Sequence, residues 1–155
     1  MLTGSMAMGI YTVPRSTQDF DFIVHMLPVH VNKLSQHFKE GYYCDAEIIK
    51  ESLRTQSMFN IIEHGTMFKA DFIPLKEDVF AQSQFQRRRF VEILDTKAYV
   101  ISGEDLILSK LIWIQQLHSG RQMEDIKAIA RNPELDWSYI KDCIRQLKLN
   151  TFDLF

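Results

Sequence analysis

Polar and aromatic residues alternate through Thr17-Gln18-Asp19-Phe20-Asp21-Phe22 and run into the apolar pair Ile23-Val24. Successive side chains of a strand point to opposite faces. The pattern therefore predicts a strand over Thr17 to Val24, with both aspartates on one face and both phenylalanines on the other. Met1-Leu2-Thr3 reads as a strand end, followed by a turn at Gly4-Ser5. Gly9 to Val13 reads as a short helix or turn closed by Pro14, because a residue preceding proline is disfavoured in helical conformation.

Val29 to Lys39 carries Val31, Leu34 and Phe38 at helical spacing, and Asp45 is a cap for a second helix reaching about Thr55, with Ile49 and Leu53 buried. Phe59 to Glu63 and Met67 to Leu75 are β-type runs around His64-Gly65-Thr66, a hairpin pattern. Glu77 to Gln86 is ambiguous, and Phe90 to Leu94 pairs with Ala98 to Ile101 around Asp95-Thr96-Lys97.

The last third is helical in pattern. Ser102-Gly103-Glu104-Asp105 is a capping signature, after which Leu106, Leu108, Leu111 and Ile114 fill an apolar helix ended by Ser119-Gly120. Met123, Ile126 and Ile129 continue in a second helix stopped near Pro133, and Asp136 caps a third containing Ile140, Ile144 and Leu147. The expected architecture is a mixed α/β (α+β) core over residues 1–101, with a helical segment over 102–155 packed on it in one domain. Strand order stays open.

Composition narrows the class. The 155 residues are 46% hydrophobic and 25% charged, with a formal net charge of -2, which argues against a globally basic nucleic-acid binder but leaves room for a local basic groove. Cys44 and Cys143 have no metal-site or disulfide-framework spacing and read as reduced, buried thiols of a cytoplasmic protein. The N-terminus shows no basic region followed by an apolar run. Leu106 to Ile114, interrupted by Ser109 and Lys110, is too short to span a bilayer. No membrane association is expected.

The chemistry is carried by carboxylates. On one strand face Asp19 and Asp21 stand about 7 Å apart along the backbone, and they repel unless a cation lies between them. Asp71, set in the apolar run Ala70-Asp71-Phe72-Ile73, is a third carboxylate on a neighbouring strand. A hard cation such as Mg²⁺ takes a few carboxylate oxygens and completes its shell with water and phosphates. Three carboxylates can hold two such ions roughly 3.5–4 Å apart, the arrangement of phosphoryl and nucleotidyl transfer. Each piece alone has a plainer explanation: a D-x-D pair is common on exposed strands, and Asp71 could be an edge charge that discourages aggregation.

Together, Gly4-Ser5, a spacer containing Pro14-Arg15-Ser16-Thr17, and Asp19-Phe20-Asp21-Phe22-Ile23-Val24 resemble the signature of the polymerase-beta-like nucleotidyltransferases. The resemblance implies that fold and a Gly4-Ser5 turn cradling a triphosphate, where glycine permits close backbone approach and Ser5 supplies donors. It implies Asp19, Asp21 and Asp71 as catalytic, metal-binding carboxylates for Mg²⁺ (or Mn²⁺), with Asp71 as base toward the incoming hydroxyl. Arg15-x-Thr17-x-Asp19-x-Asp21 is similar to a bacterial and archaeal subset that includes abortive-infection-type toxins. There a helix lysine and a later aspartate often line the nucleotide site, which points to Lys110 and Asp125, beside Arg15 and Thr17. Lys110 could equally snorkel from a buried helix, and Asp125 could pair with Arg121.

The implied activity is NMP transfer from an NTP to a hydroxyl of RNA, protein or a small aminoglycoside-like alcohol. Only three residues precede Gly4, where the family usually carries a helix and most of a strand. This leaves open a catalytically degenerate interaction module, one half of a toxin–antitoxin-like pair. Gln86-Arg87-Arg88-Arg89 is either a contact for RNA phosphates or a solvated strand entrance. The five histidines suggest no zinc site, and Trp113 and Trp137 read as helix-packing residues.

Overall fold

The structure, a computed structural model, describes residues 1–17, 19–93 and 95–155. Among these residues seven strands form one sheet. They are β1 (Leu2–Thr3), β2 (Asp19–Val24), β3 (Tyr42–Tyr43), β4 (Phe59–Glu63), β5 (Lys69–Pro74), β6 (Arg89–Ile93) and β7 (Thr96–Val100). Seven α-helices accompany them: α1 (Gly4–Met8), α2 (Val31–His37), α3 (Ala46–Thr55), α4 (Val79–Gln86), α5 (Gly103–Gln116), α6 (Gly120–Ala130) and α7 (Trp137–Leu147). The sheet runs β3-β4-β5-β2-β1-β7-β6 and is mixed, with β2 parallel to β5 and β1 parallel to β7. The remaining neighbours are antiparallel.

The pattern of hydrophobic positions is realised with local changes. Gly4-Ser5 is not a free turn; it begins α1, which packs on β1, β2 and α5. The ambiguous segment is α4, started by the Asp78 carboxylate, which accepts the Ala81 amide at 2.9 Å. Asp45 caps α3 as expected, accepting from Glu47 and Ile48. Ser119 does not end α5; its hydroxyl caps α6 by accepting the Gln122 amide. Leu94, expected at the end of a strand, lies outside the described residues, as does Gln18 within the expected strand over Thr17 to Val24.

Two apolar clusters hold the elements. The larger gathers Ala7 and Met8 of α1, Val100 and Ile101, the buried apolar residues of α5, and Ile126, Ile129 and Ile140. Helix α5 is buried through its first half and on one face beyond it: Leu106, Ile107, Leu108, Leu111 and Ile114 are all buried, while Trp113 faces solvent. The smaller cluster joins Val31 of α2, Ile49 of α3 and Phe59 of β4, with Phe72 of β5 stacked on Phe59. Trp137 packs on the larger cluster as expected, but Trp113 stands exposed on α5. Cys143 is buried and Cys44 half-buried, and both are free thiols.

The basic run stands largely exposed at the entrance to β6, with its arginines partly engaged by neighbours. Arg87 pairs with Asp105 at 3.3 Å and lies 3.7 Å over the Tyr139 ring; Arg89 pairs with Glu104 at 3.5 Å. Arg88 lies over Phe85 and Tyr99. Both acids are almost wholly buried at the start of α5, and a buried carboxylate demands a partner.

Candidate active site

Strand register assembles the acids. The parallel pairing of β2 and β5 sets Asp19 opposite Lys69 and Asp21 opposite Asp71. Paired residues of adjacent strands share a face, so these four side chains form a square of three carboxylates and one ammonium. The row extends on both sides, with Thr3 of β1 opposite Asp21 and Asn60 of β4 opposite Asp71. The phenylalanines fall on the other face, where Phe22 stacks on Phe72.

Within the square, Lys69 Nζ lies 2.9 Å from Asp71 Oδ2 and 3.7 Å from Asp19 Oδ1. Asp71 is buried, with its side chain 8% exposed, and its Oδ1 has no hydrogen-bond partner. Burial, and then the charges of Asp71 and Asp19, push the Asp21 carboxyl above its ordinary range, with Lys69 and Lys110 opposing. The hydrogen bond to Asp71 holds the Lys69 ammonium above its ordinary value. Among the described residues no three Asp, Glu, His or Cys side chains are close enough to hold an ion as they stand. Two of the three carboxylates, Asp19 and Asp71, face the Lys69 ammonium instead. The donor set still fits a hard divalent cation: oxygen ligands only, an accumulation of negative charge, and one buried carboxylate oxygen left without a partner.

Gly4 completes this corner. Its φ is +64°, and a Cβ built there would lie 1.9 Å from Asp21 Oδ2. Glycine takes this left-handed conformation without strain, and its lack of a Cβ lets the backbone approach the carboxylate so closely. Ser5 faces a second cluster. Its hydroxyl accepts from Arg15 Nη2 at 2.5 Å, and Arg15 also grips Asp125 through Nε at 3.1 Å and Nη2 at 3.0 Å. Lys110 donates to Asp125 Oδ2 at 2.8 Å and to Gln122 Oε1 at 2.6 Å. The Lys110 side chain is 6% exposed, so it does not snorkel, and Asp125 pairs with Arg15 and Lys110 rather than with Arg121.

Burial lowers the Lys110 ammonium despite its bond to Asp125. Burial raises the Asp125 carboxyl, but its bonds to Arg15 and Lys110 outweigh this and hold it below the usual range. Thr17 stays with the strand start: its hydroxyl accepts the Asp19 amide at 3.4 Å and does not join the Arg15 cluster. Beyond the square, Ile23 and Ile73 continue the acid face into a cavity of about 430 Å³, lined also by Phe80, Gln84, Ser109 and Ile112.

The arrangement of helices about this mixed sheet has a solved counterpart. The structure is similar to that of "an antigenic nucleotidyltransferase-like protein from Paracoccidioides brasiliensis", with a TM-score of 0.53 and 16% identity, over 94% of this chain and 77% of that one. This chain has a nucleotidyltransferase-like fold. At that identity the likeness speaks for the fold, and the abortive-infection subset is not distinguished by it. No protein-family model matches the sequence, and no curated protein does.

On the nucleotidyltransferase-like frame two residues stand in the site without having been expected there. Lys69 was legible in principle, since Lys69-x-Asp71 has the strand period that the two aspartates of β2 have. Asn60 had no signal, because its place depends on the pairing of β4 with β5. No helix among the described residues is long and apolar enough to cross a membrane.

Proposed function

We propose that the chain is a metal-dependent nucleotidyltransferase, transferring an NMP from an NTP to a hydroxyl acceptor. The observation that best supports this is the convergence of Asp19, Asp21 and Asp71 on one face, with Asp71 Oδ1 buried and unpartnered. Asp19, Asp21 and Asp71 would hold Mg²⁺ or Mn²⁺, which when bound supplies charge neutralisation at the phosphates. The Gly4 bend packs against the Asp21 carboxylate, and Ser5, Arg15 and Lys110 would supply phosphate donors on its flank. Asp125 orients Arg15 and Lys110 from behind.

The acceptor oxygen forms a bond to the α-phosphorus while the bond from that phosphorus to the α–β bridging oxygen breaks, and pyrophosphate leaves. Asp71 would take the acceptor proton. Catalysis on this account is positioning and electrostatic stabilisation.

The test is transfer of label from α-³²P-ATP, and from the other NTPs, to RNA, protein and small-alcohol fractions. Asp21→Asn is expected to abolish transfer with the fold kept, and full activity in that variant would rule the mechanism out. Label moving only from γ-³²P-ATP would mean phosphotransfer instead. A second reading, a degenerate interaction module of a toxin–antitoxin-like pair, draws support from Lys69, which already neutralises two of the three acids. It expects a stable partner complex indifferent to Asp19→Asn and Asp21→Asn.

A further inference from the structure

Lys69 occupies the one place in the square where a positive charge meets both Asp71, at 2.9 Å, and Asp19, at 3.7 Å. Its position is set by register, opposite Asp19 and two residues before Asp71, so the ammonium stays on the acid face whatever its rotamer. Asp71, at 8% exposure, has little water to solvate its charge, whereas Lys69, at 33% exposure, has solvent to move into on a flexible four-carbon stem. The ammonium satisfies only Oδ2; Oδ1 remains bare. One oxygen of the buried carboxylate is thus held by a movable cation while the other awaits a partner.

We propose that Lys69 is the internal counter-ion of the cation site. Its ammonium neutralises Asp71 and Asp19 while no divalent ion is bound, and it leaves Asp71 when one arrives. This rests on the reading of the three carboxylates as a divalent-cation site. Metal binding is then an exchange, and the pairing of Lys69 with Asp71 sets its strength. An uncharged side chain of similar length at position 69 frees Asp71 and removes a positive charge from the site, so divalent affinity rises.

The experiment is Mn²⁺ binding to the purified full chain, followed by the EPR signal of the free ion, for wild type, Lys69→Met and Asp71→Asn. Thermal unfolding of each is recorded with and without Mn²⁺. Lys69→Met is expected to bind Mn²⁺ at least about tenfold more tightly than wild type, through the lost repulsion and the freed ligand. It should melt below wild type without metal and recover with it. Lys69→Arg should keep the wild-type affinity.

Binding in Lys69→Met no tighter than wild type, while Asp71→Asn still abolishes it, overturns the role of Lys69 and leaves the cation site standing. Absence of binding in both wild type and Lys69→Met overturns the cation site itself. Should Lys69→Met fail to fold in buffer, Lys69→Gln is refolded with Mn²⁺. Recovery supports the exchange, and failure assigns Lys69 a purely structural role.

Discussion

Gly4 stands against Asp21 so closely that any side chain must displace the carboxylate, and its φ of +64° already disfavours an L residue. Gly4→Ala is expected to destabilise the protein by about 1–3 kcal/mol from the backbone conformation alone, with a further cost for moving Asp21. The clash has one identifiable partner, so the cost should shrink in an Asp21→Ala background; urea denaturation of the four proteins of that cycle measures the coupling. Equal costs in both backgrounds would mean that the strain lies in φ and not in the carboxylate. The other corner of the site is asymmetric. Asp125 has two cationic partners, Arg15 and Lys110, whereas Lys110 has one carboxylate and the neutral Gln122. Asp125→Asn leaves a buried ammonium without its counter-ion and should cost about 3–5 kcal/mol. Lys110→Met, which leaves Asp125 with Arg15, should cost clearly less by the same measurement.

At the scale of elements, the start of α5 joins the two halves of the chain. Ser102 Oγ accepts the Asp105 amide at 3.1 Å and donates to Asp105 Oδ2 at 2.8 Å, while Tyr139 of α7 donates to Asp105 Oδ1. The capping signature was legible, but its acids were not legible as a receptor for the basic run, because Arg87 and Glu104 meet only after α4, β6 and β7 have folded. Glu104 is opposed by burial, yet hydrogen bonds beginning with the Asp136 amide hold its carboxyl below the ordinary range, as the Arg15 and Lys110 bonds do for Asp125. A carboxyl lowered on folding contributes stability that is complete above its unfolded value, about 4.3 for glutamate and 3.9 for aspartate, and is lost as pH falls through the folded value. Stability measured by urea midpoint should therefore be level near neutrality and fall steeply below about pH 4. In Asp125→Asn that acid limb should be shallower, because one of the linked carboxyls is gone. An unchanged limb would place the proton uptake elsewhere.

Across the whole molecule, what was legible was whatever depends on period, and what was not depends on pairing. Alternation placed Asp19 and Asp21 on one face of β2, and the resemblance carried Asp71 to them; the register sets Asp71 opposite Asp21. Lys69 shares the two-residue strand period with Asp71, whereas Asn60 enters only through the separate pairing of β4 with β5. The core over 1–101 and the helical segment over 102–155 were expected to pack together as one domain, and their residues share contacts. Val100 and Ile101 share one apolar cluster with α1, α5, α6 and α7, and Tyr11 donates to the Ile101 carbonyl at 2.6 Å. Arg15, from the first part, is held by Asp125 from the second. Residues 1–101 expressed alone would expose Ala7, Met8, Val100 and Ile101 and leave Arg15 without its carboxylate. At this size a core that has lost most of its apolar contacts does not offset chain entropy. The fragment is expected to lack dispersed amide resonances and a cooperative melt, whereas the full chain unfolds in one transition. A cooperatively folded 1–101 fragment would show that the sheet stands by itself and that the helices only complete the site.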